Sequence, residues 1–163
     1  MQTTIEISKE YLHFAAAHFT IFSATERENL HGHNFHVTLD ATATIASDGL
    51  TFDYNLLKNA LKALCDELDE LVLMPQASPH IKVEEDDQYI YVLFADERIP
   101  FLRRDLKLLP IRNISVEELA HYLLAQLRKH PSIIGLDISN MVLRCASGAG
   151  QWASASLDDL GTS

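Results

Sequence analysis

Hydrophobic and polar positions alternate along residues 4–18 and again along 31–46, two segments rich in aromatic and β-branched side chains. A period of two marks a strand with one buried face, so each segment reads as a long strand. The polar, irregular stretch 19–30 between them reads as a loop, and Ser47-Asp48-Gly49 as a turn. From Asp53 the period changes. Leu57, Leu61, Leu64, Leu68 and Leu71 form one apolar stripe, which predicts a helix capped by Asp53 and running to about Leu71. Pro75 and Pro79 bracket a loop. Residues 80–85 and 89–94 flank Asp86-Asp87-Gln88 as a β-hairpin, and 101–114 is a basic connector, broken by Pro110, to which no element is assigned. A second helix starts at Ser115, where Ser115 and Glu118 have the spacing of a capping box. Val116, Leu119, Ala120, Leu123 and Leu127 are its buried stripe, and Pro131 ends it. Residues 137–145 and 151–157 form a closing strand pair across 147–150.

Strands precede the helix in the first half and follow it in the second. That order predicts an α+β fold with an antiparallel four-stranded sheet and two helices on one face, rather than a parallel βαβ chain. Residues 1–163 are a one-domain length, with no repeat or linker, and 80–112 reads as an inserted hairpin and connector. Only the residues after Leu160 are expected to be disordered.

A hydrophobic content of 47% with 22% charged residues is ordinary for a globular protein. The net charge of −10, from 23 acidic against 13 basic residues, repels phosphate backbones and predicts no nucleic-acid partner. The two cysteines, Cys65 and Cys145, lie far apart in no paired spacing, so neither a disulfide framework nor a Cys-rich metal site is expected. No signal pattern or long apolar run is visible, which predicts a cytoplasmic protein without membrane contact.

His31-Gly32-His33 carries the chemistry. Residues i and i+2 of a strand share a face, so both imidazoles project side by side. Imidazole nitrogen suits Zn²⁺, whose catalytic sites commonly keep three protein ligands and one open position. If the two long strands pair across the loop, His18 at the end of the first lies beside His31 and His33 as third ligand. His13 and His36 have the opposite parity. His80, His121 and His130 fall in loop, helix and helix end, where exposure explains them.

Phe14-Ala15-Ala16-Ala17-His18, then Leu30-His31-Gly32-His33-Asn34-Phe35, resembles the 6-pyruvoyl-tetrahydropterin synthase family, which includes the bacterial 6-carboxytetrahydropterin synthases of queuosine biosynthesis. Thr51-Phe52-Asp53-Tyr54, Glu67-Leu68-Asp69 and Asn113-Ile114-Ser115-Val116-Glu117 extend the resemblance over nearly the whole chain. It implies the tunnelling fold, with subunits joined through their sheets into a homo-oligomer, commonly a hexamer built as a dimer of trimers, and sites between subunits. It implies zinc on His18, His31 and His33, acting as a Lewis acid on a pterin side chain. It also implies a pterin-binding role for Glu117.

Three positions depart from the family pattern. Its catalytic cysteine falls at Arg27 in the bacterial spacing and at Thr25 in the animal one. Glu26 and Glu28 flank Arg27, and some relatives use a glutamate in place of the thiol, so either is a candidate base. Asp69 is retained, as an assisting group, but the histidine that follows it in the family is Glu70. Arg144 aligns with the pterin-gripping glutamate and is a candidate for an acceptor-rich ligand group, or for an ion pair within the fold. Trp152 reads either as a cover for a flat ligand or as core. The expectation is a zinc-dependent lyase acting on a pterin-like side chain, with carbon–carbon cleavage of dihydroneopterin resembling the glutamate-bearing relatives. A zinc-binding, catalytically altered paralogue with a ligand-binding role, or a non-pterin substrate, is the alternative.

Overall fold

The computed structural model describes residues 1–160, so the predicted disorder after Leu160 lies outside the described residues. The first long segment is not one strand but two, β1 (Gln2–Ile7) and β2 (His13–His18), both antiparallel to β3 (His31–Thr44). Ile7 pairs with Leu39 and His13 with His36, so residues 8–12 bulge out over a gap that Val37 and Thr38 span on β3. The bulge is held because Leu12 is fully buried and its carbonyl accepts from the Val37 N–H at 2.9 Å. On its other edge β3 pairs with β9 (Ile138–Gly148), which pairs with β10 (Gln151–Ser156). This is the antiparallel core expected from the alternation.

Helix α1 (Tyr54–Asp66) stops about a turn short of the predicted end. Asp53 does cap it, accepting from the Asn55 N–H at 2.9 Å. Leu68 is buried in the turn beyond, so it keeps the apolar stripe without being helical. At Glu70 the backbone enters the left-handed region (φ 58°), and the Glu70 N–H donates to the Ala15 carbonyl at 2.7 Å. The chain thereby joins the sheet as β4 (Leu71–Pro75), parallel to β2, and β8 (Leu106–Leu109) adds alongside it, also parallel. The sheet is therefore mixed and seven-stranded around its antiparallel core. Short buried strands read as unbroken apolar runs, which periodicity does not separate from a helix end or a connector.

Helix α2 (Val116–Lys129) starts where predicted, with the Ser115 hydroxyl accepting from the Glu118 N–H at 3.3 Å. The reciprocal half of the capping box is absent: the Glu118 carboxylate is taken by the Arg112 N–H and guanidinium instead. Both helices cover the face of the sheet that carries Phe14, Phe35, Val37, Leu39 and Leu143. The other face carries His36, Thr38, Asp40 and Arg144, the last two ion-paired at 2.8 Å.

Within residues 80–112, β5 (Ile81–Glu85), β6 (Tyr89–Phe94) and β7 (Glu97–Leu102) form a separate three-stranded sheet, while β8 belongs to the main one. The predicted hairpin is present, and β7 was not legible because Pro100 interrupts it. As an edge strand β7 tolerates a residue with no N–H to donate. Ile81, Val92 and Phe94 of this sheet make a second core with Phe19, Ile21, Met74 and Leu106. This small sheet therefore packs directly on the loop that precedes His31.

Cys65 and Cys145 are both fully buried in the main core, and burial pushes each thiol up to about 12. Neither is available as a base. An unfolded chain ionises a thiol near 8.5, so between about 8.5 and 12 the unfolded state holds fewer protons than the folded one. Stability falls as pH rises through that window. The urea midpoint of a Cys65→Ala/Cys145→Ala variant should decline less between pH 7.5 and pH 10 than that of the parent. Equal declines would contradict this account. No helix among the described residues is long and apolar enough to cross a membrane.

Candidate active site

Pairing of β2 with β3 sets His18 opposite His31 and Ala16 opposite His33. The three imidazoles share the helix-covered face at the end of the sheet, with ring centroids 4.7 to 5.2 Å apart. One ring nitrogen from each lies within 4.8 Å of the others, and the Nε2 atoms of His31 and His33 are 2.9 Å apart. Phe35 closes the floor edge-on against His18 and His33, and is itself stacked on Phe14 at 5.0 Å. His13 and His36 face each other on the opposite side of the sheet, as their parity requires.

The cluster fits a metal ion. His18 Nδ1 lies 2.8 Å from the Ile114 carbonyl and His31 Nδ1 lies 2.7 Å from the Asn29 carbonyl. A carbonyl can only accept, so each Nδ1 donates and each Nε2 keeps its lone pair, the arrangement that orients metal-ligating imidazoles. Among the described residues His18 Nε2 is buried without a hydrogen-bond partner, a costly state unless something binds it. Burial, then the neighbouring His31, lowers the pKa of His18 and favours the neutral form that a ligand requires.

A cavity of about 250 Å³ opens in front of the three rings, lined also by Thr20, Glu28, Glu117 and Ser147. The Glu28 carboxylate accepts from the Thr20 N–H at 2.9 Å and reaches to 3.9 Å from His31 Nε2. Burial raises its pKa, but the hydrogen bonds from Thr20 and the fields of His31 and His18 outweigh that and hold it below the usual carboxylate range. The Glu28 N–H returns a bond to the Thr20 carbonyl at 2.9 Å. Asn113 grips the same loop, accepting from the Ile21 N–H at 3.1 Å and donating to the Ile21 carbonyl at 2.8 Å. Asn113 opens the Asn113-Ile114-Ser115-Val116-Glu117 motif, yet its part in holding this loop was not legible, because its partner lies 92 residues away.

Of the two candidate glutamates only Glu28 enters the cavity. Glu26 is exposed at the loop tip, where its carbonyl accepts from the Phe22 and Ser23 N–H groups. Arg144 is not brought to the cavity. It lies on the opposite sheet face with Asp40, and the closing strand contributes Ser147 instead. Trp152 is half exposed on that same opposite face, so it is neither core nor a cover for the histidines. Asp69 stands outside the cavity of its own chain, its Oδ1 accepting from the Ala15 N–H at 2.7 Å. That bond asks for an acceptor, not a charge. Asp69→Asn should leave Tm within about 1 °C, whereas Asp69→Ala should lower it by about 2–4 °C, the value of one hydrogen bond in a chain of this size. Equal losses in a thermal melt would show that the charge itself is needed.

A sequence model described as 6-pyruvoyl tetrahydropterin synthase matches residues 6–147. The chain belongs to this family. The 6-pyruvoyl tetrahydropterin synthase of Plasmodium vivax superposes with a TM-score of 0.88 at 27% identity, over 96% of this chain and 98% of that one. The Plasmodium falciparum enzyme gives 0.88 at 28%, over 95% and 97%. The P. vivax protein is also known as a variant in which a glutamate, described as the catalytic residue, is replaced by alanine; it gives 0.89 at 26%, over 96% and 98%. Among sequences, a Methanocaldococcus jannaschii protein provisionally named a 6-carboxy-5,6,7,8-tetrahydropterin synthase is 27% identical over 144 residues, 87% of this chain and 88% of its own. Membership in this family makes the chain tetrahydropterin-synthase-like and a relative of lyases.

Proposed function

We propose that this member of the tetrahydropterin synthase family is a zinc-dependent lyase acting on the side chain of a pterin-like substrate, with His18, His31 and His33 as metal ligands and Glu28 as base. The observation that carries the reading is the Glu28 carboxylate in the same small cavity as three convergent imidazoles, one with an unpartnered buried nitrogen. When bound, zinc supplies Lewis-acid polarisation of the substrate's side-chain oxygens. The Thr20 N–H bond favours the ionised carboxylate of Glu28, which can then take a proton from a carbon or hydroxyl placed beside it. The P. vivax relative with a catalytic glutamate supports a carboxylate in that role. Glu117, in the first turn of α2 and on the cavity wall, offers acceptors to the N–H edge of a pterin ring.

The cavity is smaller than the roughly 300–1,000 Å³ of most ligand sites, and among the described residues the outer edge of β10 is unpaired. Both support a homo-oligomer in which a neighbouring subunit completes the pocket, and such a neighbour is where Asp69 would assist. The acidic chain and the family support a small-molecule substrate in the cytoplasm. Melting curves of the zinc-loaded protein test the ligand class. A reduced pterin bearing a polyol side chain should raise Tm, and purine nucleosides should not. A rise with nucleosides alone would redirect the reading to a non-pterin substrate.

A further inference from the structure

We propose that Arg27 is a positioning residue that ties the inserted sheet to the active site and holds the Glu28 carboxylate in the cavity. This rests on Glu28 acting as the base. Arg27 is the neighbour of Glu28 in the loop, yet its side chain runs the other way, into the second core. Its guanidinium lies 4.5 Å from the centre of the Phe19 ring and 5.8 Å from that of Phe94. Its Nε and Nη2 both donate to Glu97 Oε2, at 2.7 and 2.6 Å. Its Nη1 donates to the Glu28 carbonyl at 2.8 Å. One planar fork thus joins the loop backbone at Glu28 to β7, with the rings of Phe19 and Phe94 beside it.

The side chain of Arg27 is only 17% exposed, unlike an ordinary surface ion pair, whose long side chains are free to move. Arginine suits the place because its donors are fixed in direction and its flat face sits against aromatic rings. Lysine offers charge without the fork. Phe94 and Glu97 both come from the small three-stranded sheet, so that sheet gives the loop a packed anchor. Backbone pairing then transmits the anchor, since Ile21 bridges Arg27 and the Glu28 N–H bonds the Thr20 carbonyl. Thr20 in turn donates to the carboxylate of Glu28. A base displaced by about 1 Å can lose on the order of a hundredfold in rate.

The test compares Arg27→Met, Arg27→Lys and Glu97→Gln with the parent and with Glu28→Gln, all zinc-loaded. Arg27→Met should lower kcat by roughly 10- to 100-fold with KM within about twofold, Glu97→Gln should lower it less, and Arg27→Lys should restore only part of the loss. Zinc content should stay at the parent's level in all of them. In the metal-free protein, amide exchange at Thr20 and Glu28 should speed up at least about tenfold in Arg27→Met, and exchange in α1 should not change. If Glu28→Gln is inactive while Arg27→Met and Glu97→Gln turn over like the parent, the positioning role is overturned and the base assignment stands. If Glu28→Gln is itself fully active, the base assignment fails. Unaltered exchange at Thr20 and Glu28 in Arg27→Met would overturn the anchor whatever the kinetics.

Discussion

Glu28→Gln should lower kcat by about 10²- to 10⁴-fold, the usual loss when a positioned general base is removed, while the zinc content and the far-ultraviolet spectrum stay those of the parent. Glutamine is the informative replacement. Its amide oxygen can still accept from the Thr20 N–H, so the loop keeps its local bond and only the proton-accepting charge is lost. KM should change little, because Glu28 is assigned to proton transfer and Glu117 to ring recognition. Glu26→Gln serves as the control. Glu26 is exposed at the loop tip and should leave kcat within about twofold, as surface substitutions do. Equal activity losses in the two variants would mean that loop charge, not a placed carboxylate, matters. Loss in Glu26→Gln alone would reverse the assignment.

The second large effect concerns the metal. His31→Ala should lose zinc from the purified protein and lose turnover with it, because two imidazoles and solvent hold the ion far more weakly than three. His31 is a better target than His18. His18 is buried and bonded to the Ile114 carbonyl just ahead of α2, so truncating it would also open a hole at the core edge. His31 is about one-third exposed, so its removal should cost little stability in the metal-free protein. The same comparison separates metal from fold. With zinc, the parent should melt higher than its metal-free form, and His31→Ala should show no such difference. Nickel or cobalt should partly replace zinc, since a three-imidazole set does not reject them. Full zinc content in His31→Ala would contradict the site.

Local rules made much of this legible from sequence. Strand parity alone put His31 and His33 on one face and turned His13 and His36 to the other. The Asp53 and Ser115 caps and the two leucine-rich stripes located both helices, because caps and stripes are short-range signals. What stayed hidden depends on partners far along the chain. Residues 71–75 and 106–109 are strands only because β2 and then β4 lie open beside them. The same apolar letters suited a helix end and a connector. The bulge at 8–12 follows from Leu12 finding the core, which alternation along one segment does not reveal. Arg144 lies in the closing strand but on the sheet face opposite the histidines, which its aligned position did not reveal, and the nearby Ser147 lines the cavity instead. Choosing between Glu26 and Glu28 likewise needed the hydrogen bond to Thr20, which exists only once the loop folds back on itself.

Turnover measures most directly whether three histidines and Glu28 form a working lyase site. Zinc-loaded protein should be incubated with dihydroneopterin, its triphosphate and 6-pyruvoyl-tetrahydropterin, and the products resolved by chromatography and mass. Zinc-dependent cleavage or elimination is expected on the side chain of at least one of them, with the ring intact and with the activity abolished in Glu28→Gln. Tight binding of these pterins with none of them converted would contradict it, and would leave instead a zinc-holding relative that binds its ligand without changing it.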